Sequence, residues 1–145
     1  MTSRATFTCE IKVGRVIEAR VQTLKTPADA RAYSNALARV VTSFSKTGAK
    51  RGPVLCADHR PVVIYAPEVA DELARLFSEM NAYLVRVGII AARSNATLSM
   101  QLGRIVREAN NPLRQIFYEP GELTDFLAHD LDRNETERVR AFLAT

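Results

Sequence analysis

The side chains best suited to nucleophilic chemistry in this chain are two cysteines, Cys9 and Cys56, and two histidines, His59 and His129. Cys56 and His59 stand three positions apart, and a thiol beside an imidazole is a nucleophile with its base. Such a thiol must be reachable and sit in an electropositive setting. Cys56 instead lies inside Val54-Leu-Cys-Ala57, an apolar run where cysteine packs as a small hydrophobic residue. Positions three apart in a strand also point to opposite faces. The arginine that would close a phosphatase-type loop is missing, because Val62 stands at its place. No catalytic residue is expected.

Metal and cofactor chemistry have no better footing. Neither histidine belongs to a ligand-spaced group with cysteines or carboxylates, so no metal site is expected. Glycines occur at 14, 48, 52, 88, 103 and 121. They never gather into a phosphate-cradling loop after a strand, which excludes a nucleotide cofactor held by a standard motif. Gly103 falls inside a helical pattern and is read as permitting close packing of helix on sheet.

The elements that must position the polar residues follow from periodicity. Phe7, Cys9, Ile11 and Val13 alternate with polar residues, the period of a half-buried strand. Gly14-Arg15 separates them from a second alternating run at 16–21, as a type II′ hairpin requires. Thr26-Pro27-Ala28-Asp29 is a helix start with cap, proline and capping-box acid in place. The helix runs to about Lys46 with Tyr33, Leu37, Val40, Val41 and Phe44 along its inner face. Residues 54–58 form a short buried strand ending at Asp58. Pro67 opens a second helix whose stripe is Val69, Leu73, Leu76, Phe77, Met80 and Leu84. A third apolar strand spans 87–92, and Arg93-Ser94-Asn95 caps a third helix with Leu98, Leu102, Ile105, Val106 and Ala109 inward. Residues 115–118 form a short strand. Pro120 opens a terminal helical region, and Asn134 is the expected cap of a last helix.

Strands alternating with helices imply crossovers and a parallel sheet. The expected fold is therefore α/β, with a mixed, mainly parallel sheet begun by an antiparallel hairpin and covered by about four helices. All 145 residues, 47% apolar and 25% charged, fit one domain spanning 1–145. The apolar stretches are far shorter than the roughly 20 residues that span a bilayer. Met-Thr-Ser-Arg lacks the apolar core of a secretory signal, and two cysteines make no disulfide framework. The expected setting is the cytoplasm, without a membrane partner.

Net charge is +4, distributed unevenly: +7 over residues 1–60 and −3 over 61–145. Residues 119–137 hold seven carboxylates with Arg133 as their only arginine or lysine. The asymmetry predicts a dipolar molecule. No basic stripe with interleaved aromatics accompanies it, so specific nucleic-acid binding is not expected.

Open α/β sheets place ligands and partners beyond the carboxyl ends of their parallel strands. The residues gathered there are Asp58, His59, Arg60, Val63, Tyr65, Arg93, Ser94 and Asn95, the candidate partner- or ligand-binding cluster. In its plainest form Asp58 pairs with Arg93, Ser94 or Asn95 caps its helix, and residues 62–64 fold back into the core. Yet Pro61-Val-Val-Ile-Tyr-Ala-Pro67 is unusually apolar for a connection, and such a segment, left exposed, marks an interface. It is expected to dock a regulatory protein or a second copy of the chain. Charged residues at Val63 and Tyr65 are then expected to abolish association without disturbing the fold.

The element order, the element lengths and Asp58 at the end of its strand resemble the STAS domain. So do Arg104-Ile-Val-Arg-Glu-Ala-Asn-Asn-Pro112, Ile116-Phe-Tyr-Glu-Pro120 and Leu123-Thr-Asp-Phe-Leu127, which look like the last helix–strand–helix of stand-alone bacterial members. The resemblance covers about residues 5–130. It implies the fold of anti-sigma-factor antagonists and of the cytoplasmic ends of sulfate transporters. The family's regulatory members carry a phosphorylatable Ser or Thr at the start of the helix after the Asp-ended strand. Tyr65-Ala66-Pro67-Glu68 stands there with no such hydroxyl, and without a membrane segment a transporter role falls away. The resemblance thus implies a non-enzymatic regulatory or scaffolding protein that acts by docking to a protein partner or as a homodimer. The alternative is a carrier or sensor of a small apolar or anionic ligand held between sheet and helices.

Overall fold

The computed structural model of the chain describes residues 6–145. Two strands, β1 (Thr6–Ile11) and β2 (Val16–Thr23), form the antiparallel hairpin. Then come α1 (Pro27–Ser45), β3 (Val54–Asp58), α2 (Pro67–Met80), β4 (Arg86–Ile90), α3 (Ala96–Ala109) and β5 (Arg114–Phe117). The chain closes with α4 (Pro120–Ala128) and α5 (Arg133–Leu143). The α/β class and the mixed sheet are as the periodicity predicts, with the acidic C-terminal region divided into two helices.

The strands lie in chain order, β1-β2-β3-β4-β5, and every pairing after the hairpin is parallel. Crossovers of one hand that always step to the next strand return over the same face. Accordingly α1, α2 and α3 pack in sequence against Ile17, Ala19, Leu55, Ala57, Val87 and Ile89. The opposite face presents Val16, Val54, Cys56 and Ile90, and α4 and α5 cover it with Leu123, Leu127, Val139, Phe142 and Leu143. Successive strand residues therefore enter different cores.

Local chemistry sets the element ends. Thr26 accepts from the Asp29 N–H while the Asp29 carboxylate returns to the Thr26 N–H, and Pro27 stands first in α1. Asn95 caps α3 by accepting from the Leu98 N–H at 3.1 Å. The last helix starts at Asp132, not Asn134. Asp132 and Glu135 form a reciprocal capping box, and Asn134 already lies one residue inside α5. Close approach of helix and sheet falls to Gly88 and not to Gly103. A Cβ on Gly88 would lie 3.1 Å from Cγ of Leu123, whereas one on Gly103 would meet only the Arg107 side chain.

Gly14 has φ +57° and Arg15 does not share the positive sign, and the Val16 N–H donates to the Val13 carbonyl at 3.3 Å. These are the φ signs of a type II′ turn. The buried Glu135 carboxylate accepts from the Arg15 N–H at 2.6 Å, and a Cβ on Gly14 would collide with it. The hairpin turn and α5 are thus locked together through one acid. Gly14→Ala is expected to lower unfolding free energy by about 2 kcal/mol, from backbone strain and displaced Glu135. Urea denaturation checks this, and an unchanged midpoint would contradict the lock.

Candidate functional site

The central strand ends in Asp58, which is only 1% exposed. Alternation along β3 sends it toward α5, and there its carboxylate meets two guanidinium groups. Oδ2 accepts from Arg20 Nε at 2.8 Å and from Arg60 Nη2 at 3.0 Å. Oδ1 accepts from the Arg60 backbone N–H at 3.0 Å and from its Nε at 2.9 Å. Each arginine then reaches a carbonyl in the last turn of α5. Arg20 Nη2 donates to Phe142 O at 2.7 Å and Arg60 Nη2 to Leu143 O at 3.0 Å. Both carbonyls lie past the last regular helical bond, where Phe142 O also takes the Thr145 hydroxyl at 2.7 Å, and cations suit that end of the dipole. The Arg20 guanidinium also lies over the Phe142 ring, 4.4 Å from its centroid. Burial alone would raise the Asp58 carboxyl, but the bonds from Arg60 and Arg20 outweigh it and hold the group below the ordinary carboxylate range.

The next residue turns to the other core. His59 is completely buried, with Nδ1 2.7 Å from the Tyr65 hydroxyl and no partner for Nε2. Burial lowers its pKa to about 4, against a smaller opposing effect of Asp58, so the ring is neutral at physiological pH. Tyr65 is 1% exposed, and burial pushes its phenol far above the usual value. Its backbone is held from α3. The Tyr65 N–H donates to Gln101 Oε1 at 3.0 Å, and Gln101 Nε2 donates to Tyr65 O at 2.7 Å. Asn95 holds the loop at a second point by donating from Nδ2 to the Val63 carbonyl.

Those anchors decide which apolar loop residues face water. Val62 and Tyr65 enter the core, while Val63 and Ile64 are 74% and 56% exposed. Met100, one residue before Gln101 on α3, is 75% exposed. Tyr65 was expected on the surface beside Val63. Its ring is instead a core residue tied to His59, so a charged residue there would disrupt the fold rather than test docking.

The eight candidate residues divide into separate arrangements. Asp58 joins Arg60, His59 joins Tyr65, and Val63 joins Asn95. Arg93 does not pair with Asp58. It reaches Glu119 at 3.1 Å and lies over Tyr118. Ser94 is exposed and leaves the cap to Asn95. Residues 63 and 64 do not fold back. Cys56 and His59 lie in different cores, and burial pushes the Cys56 thiol well up, so no thiolate forms there at neutral pH.

Sequence reasoning missed the residues that hold this region. Arg20 and Glu18 were legible as charges inside a strand with buried neighbours, a signal of internal pairing. Glu18 is indeed buried and accepts twice from Arg138, at 2.5 and 2.8 Å. Gln101 carried no signal, since a polar residue on an amphipathic helix is ordinarily solvated. A second feature lies elsewhere. An open groove of about 780 Å³ runs between β1 and α1, lined by Cys9, Ile11, Ala36, Val40 and Phe44 with Glu10 and Arg39.

Among the described residues no three His, Cys, Asp or Glu side chains gather to hold an ion, and no helix is long and apolar enough to cross a membrane. Compared with known protein families, curated proteins and solved structures, the chain matches none of them.

Two consequences are measurable. Asp58→Asn keeps the shape but leaves Arg20 and Arg60 without their anion, and is expected to cost about 2 kcal/mol, less than a fully buried pair because both arginines touch solvent. His59 carries a pH dependence of known sign. Its folded pKa of about 4 lies below the ordinary 6.5, so between those values the unfolded chain binds more protons. Stability is complete above pH 6.5 and falls by about 3 kcal/mol toward pH 4. Urea unfolding across that range should show the slope in the wild type and lose it in His59→Gln. An identical slope in both would assign the dependence to another group.

Proposed function

We propose that this chain is a STAS-like protein that works without catalysis, docking a protein partner through Val63 and Ile64. The reading is supported above all by one observation. Two adjacent apolar side chains stand in water on a loop whose backbone is pinned from α3 at Val63 and Tyr65. Water exposure of such residues is unfavourable, by roughly 25 cal/mol for each Å² of apolar surface. A loop free to move would turn them inward. Held in place, they form a preorganised contact that loses little conformational entropy on binding.

The STAS-like assignment draws support from the hairpin followed by strands in chain order, and from α1–α3 gathered on one face. The role fits a regulatory or scaffolding protein. At the position where the family's switch hydroxyl would stand, the chain has Ala66 and Pro67 entering α2. Docking is therefore constitutive at this surface and not gated by phosphate there.

The test substitutes Val63→Glu and Ile64→Lys together. Exposed positions without a structural role tolerate change within about 0.5 kcal/mol, so the unfolding midpoint should stay put. Affinity capture from native extract with quantitative mass spectrometry should then show proteins retained by the wild type and lost by the variant. The same captured set with both baits would overturn the docking surface.

A further inference from the structure

The geometry points to an acid-operated latch at the docking loop: His59, packed against Tyr65, holds residues 60–66 closed, and protonation of its ring opens them. Opening takes the Val63–Ile64 contact apart. The use of such a latch rests on the docking reading above, whereas the latch itself is a property of the free chain. His59 follows directly on β3, a strand paired on both sides by β2 and β4. It is fixed to the sheet, its own N–H donating to Ile90 O at 2.8 Å. The ring lies wholly out of water, and among the described residues its hydrogen-bond partner is the Tyr65 hydroxyl alone.

Among the described residues this core offers an imidazolium no anion. Its buried titratable side chains are two phenols, Tyr65 of the loop and Tyr33 of α1, which lies near enough to Tyr65 to influence it. The buried residues of α2 and α3 are all apolar. Cys9 of β1 packs at the edge of the core, and burial pushes its thiol up to about 11, so it is neutral as well. Asp58 is the adjacent charge, but its carboxylate lies on the α5 side and is already shared by Arg20 and Arg60. A charged ring here must therefore be reached by water.

The part of its cover that belongs to no strand or helix is the loop. Tyr65 meets the ring edge-on with centroids 5.9 Å apart. Few bonds hold the segment: the Val62 N–H donates to His59 O at 3.0 Å, Gln101 bonds twice to the Tyr65 backbone, and Asn95 donates to the Val63 carbonyl. A segment so held opens at lower free energy than the fold as a whole. Swinging it out withdraws Tyr65 from His59 and disperses Val63 and Ile64. The ring titrates at about 4 when closed in and at 6.5 when free. Between those values acid favours the open form, whose share rises about tenfold for each pH unit lost.

Hydrogen exchange resolved by NMR on the full chain, corrected for the intrinsic effect of pH, provides the test. Between pH 6.5 and 4.5, above the range in which Asp58 titrates, protection of the Val62 and Tyr65 amides should fall about a hundredfold. The central-strand amides of Leu55 and Ala57 should stay better protected throughout, because they wait for global unfolding. His59→Gln should flatten the loop's pH profile. Tyr65→Phe keeps the ring and removes its bond, and should lower protection at positions 62 and 65 about tenfold at pH 7. Loop amides indifferent to pH, loop amides that exchange only as fast as Leu55 and Ala57, an unaltered profile in His59→Gln, or unchanged protection in Tyr65→Phe would each overturn the latch. The exchange is read without a partner, so failure of the latch and failure of the docking surface are told apart.

Discussion

A carboxylate taken out of water must find cations or give up its charge, and Asp58 finds Arg20 and Arg60. Their remaining donors are directed at the end of α5, where they reach the carbonyls of Phe142 and Leu143 in its last turn. The buried acid thereby ties the last helix of the chain to the middle of the sheet, and with it the cover over Val16, Val54, Cys56 and Ile90. The same requirement shapes the loop that follows. Arg60 turns back toward Asp58 on the α5 side, while His59 between them enters the opposite core and meets Tyr65. The connection then has few ways to reach Pro67, and Val63 and Ile64 are left outside.

The uneven charge of the sequence is partly resolved inside the molecule. The acidic run folds onto the second face of the sheet as α4, α5 and their connection, and three of its seven carboxylates, Glu119, Asp130 and Glu135, meet arginines from elsewhere in the chain. Asp130 takes Arg86 at 2.5 Å and Arg51 at 3.4 Å, while Glu135 takes the Arg15 backbone N–H and side chain. Arg138 returns a positive charge to the buried Glu18. A composition that suggests a dipole seeking an external partner thus describes, in good part, how the C-terminal helices find their seat. Arg114 shows the same economy without an acid. Its guanidinium donates to the carbonyls of Asn81, Leu84, Val85 and Leu113, fastening the turn between α2 and β4.

Local patterns were legible because their causes are local. Alternation at Phe7, Cys9 and Ile11, the capping box at Thr26, the proline at 67 and the amide at Asn95 each act within a few residues, and each element formed where they placed it. The site was less legible because side-chain direction beyond a strand end depends on distant partners. Asp58 and Arg93 looked like neighbours from their loops. Asp58 belongs to the α5 face, and the arginines that claim it are set by Phe142 and Leu143, more than eighty positions from Arg60 and more than a hundred and twenty from Arg20. Tyr65 was unreadable for a similar reason, since its burial depends on His59 and on Gln101 of α3. Asn134 misled because two acids, Asp132 and Glu135, make a stronger start with the cap two residues earlier.

The apolar surface left over after this internal pairing lies beyond the carboxyl end of β3, at the other end of that strand from the Gly14 turn, where the Val54 N–H donates to Arg15 O at 2.8 Å. The two ends of β3 are fastened by different groups. At its start Arg15 meets Glu135 of α5, and at its end Asp58 holds the arginines that reach the last turn of α5. Both fastenings run to one helix, so the element that closes the second core also fixes where the loop leaves the sheet. From there Asn95 and Gln101 set its path, and Val63 and Ile64 are held outside by the same bonds that bring Tyr65 in.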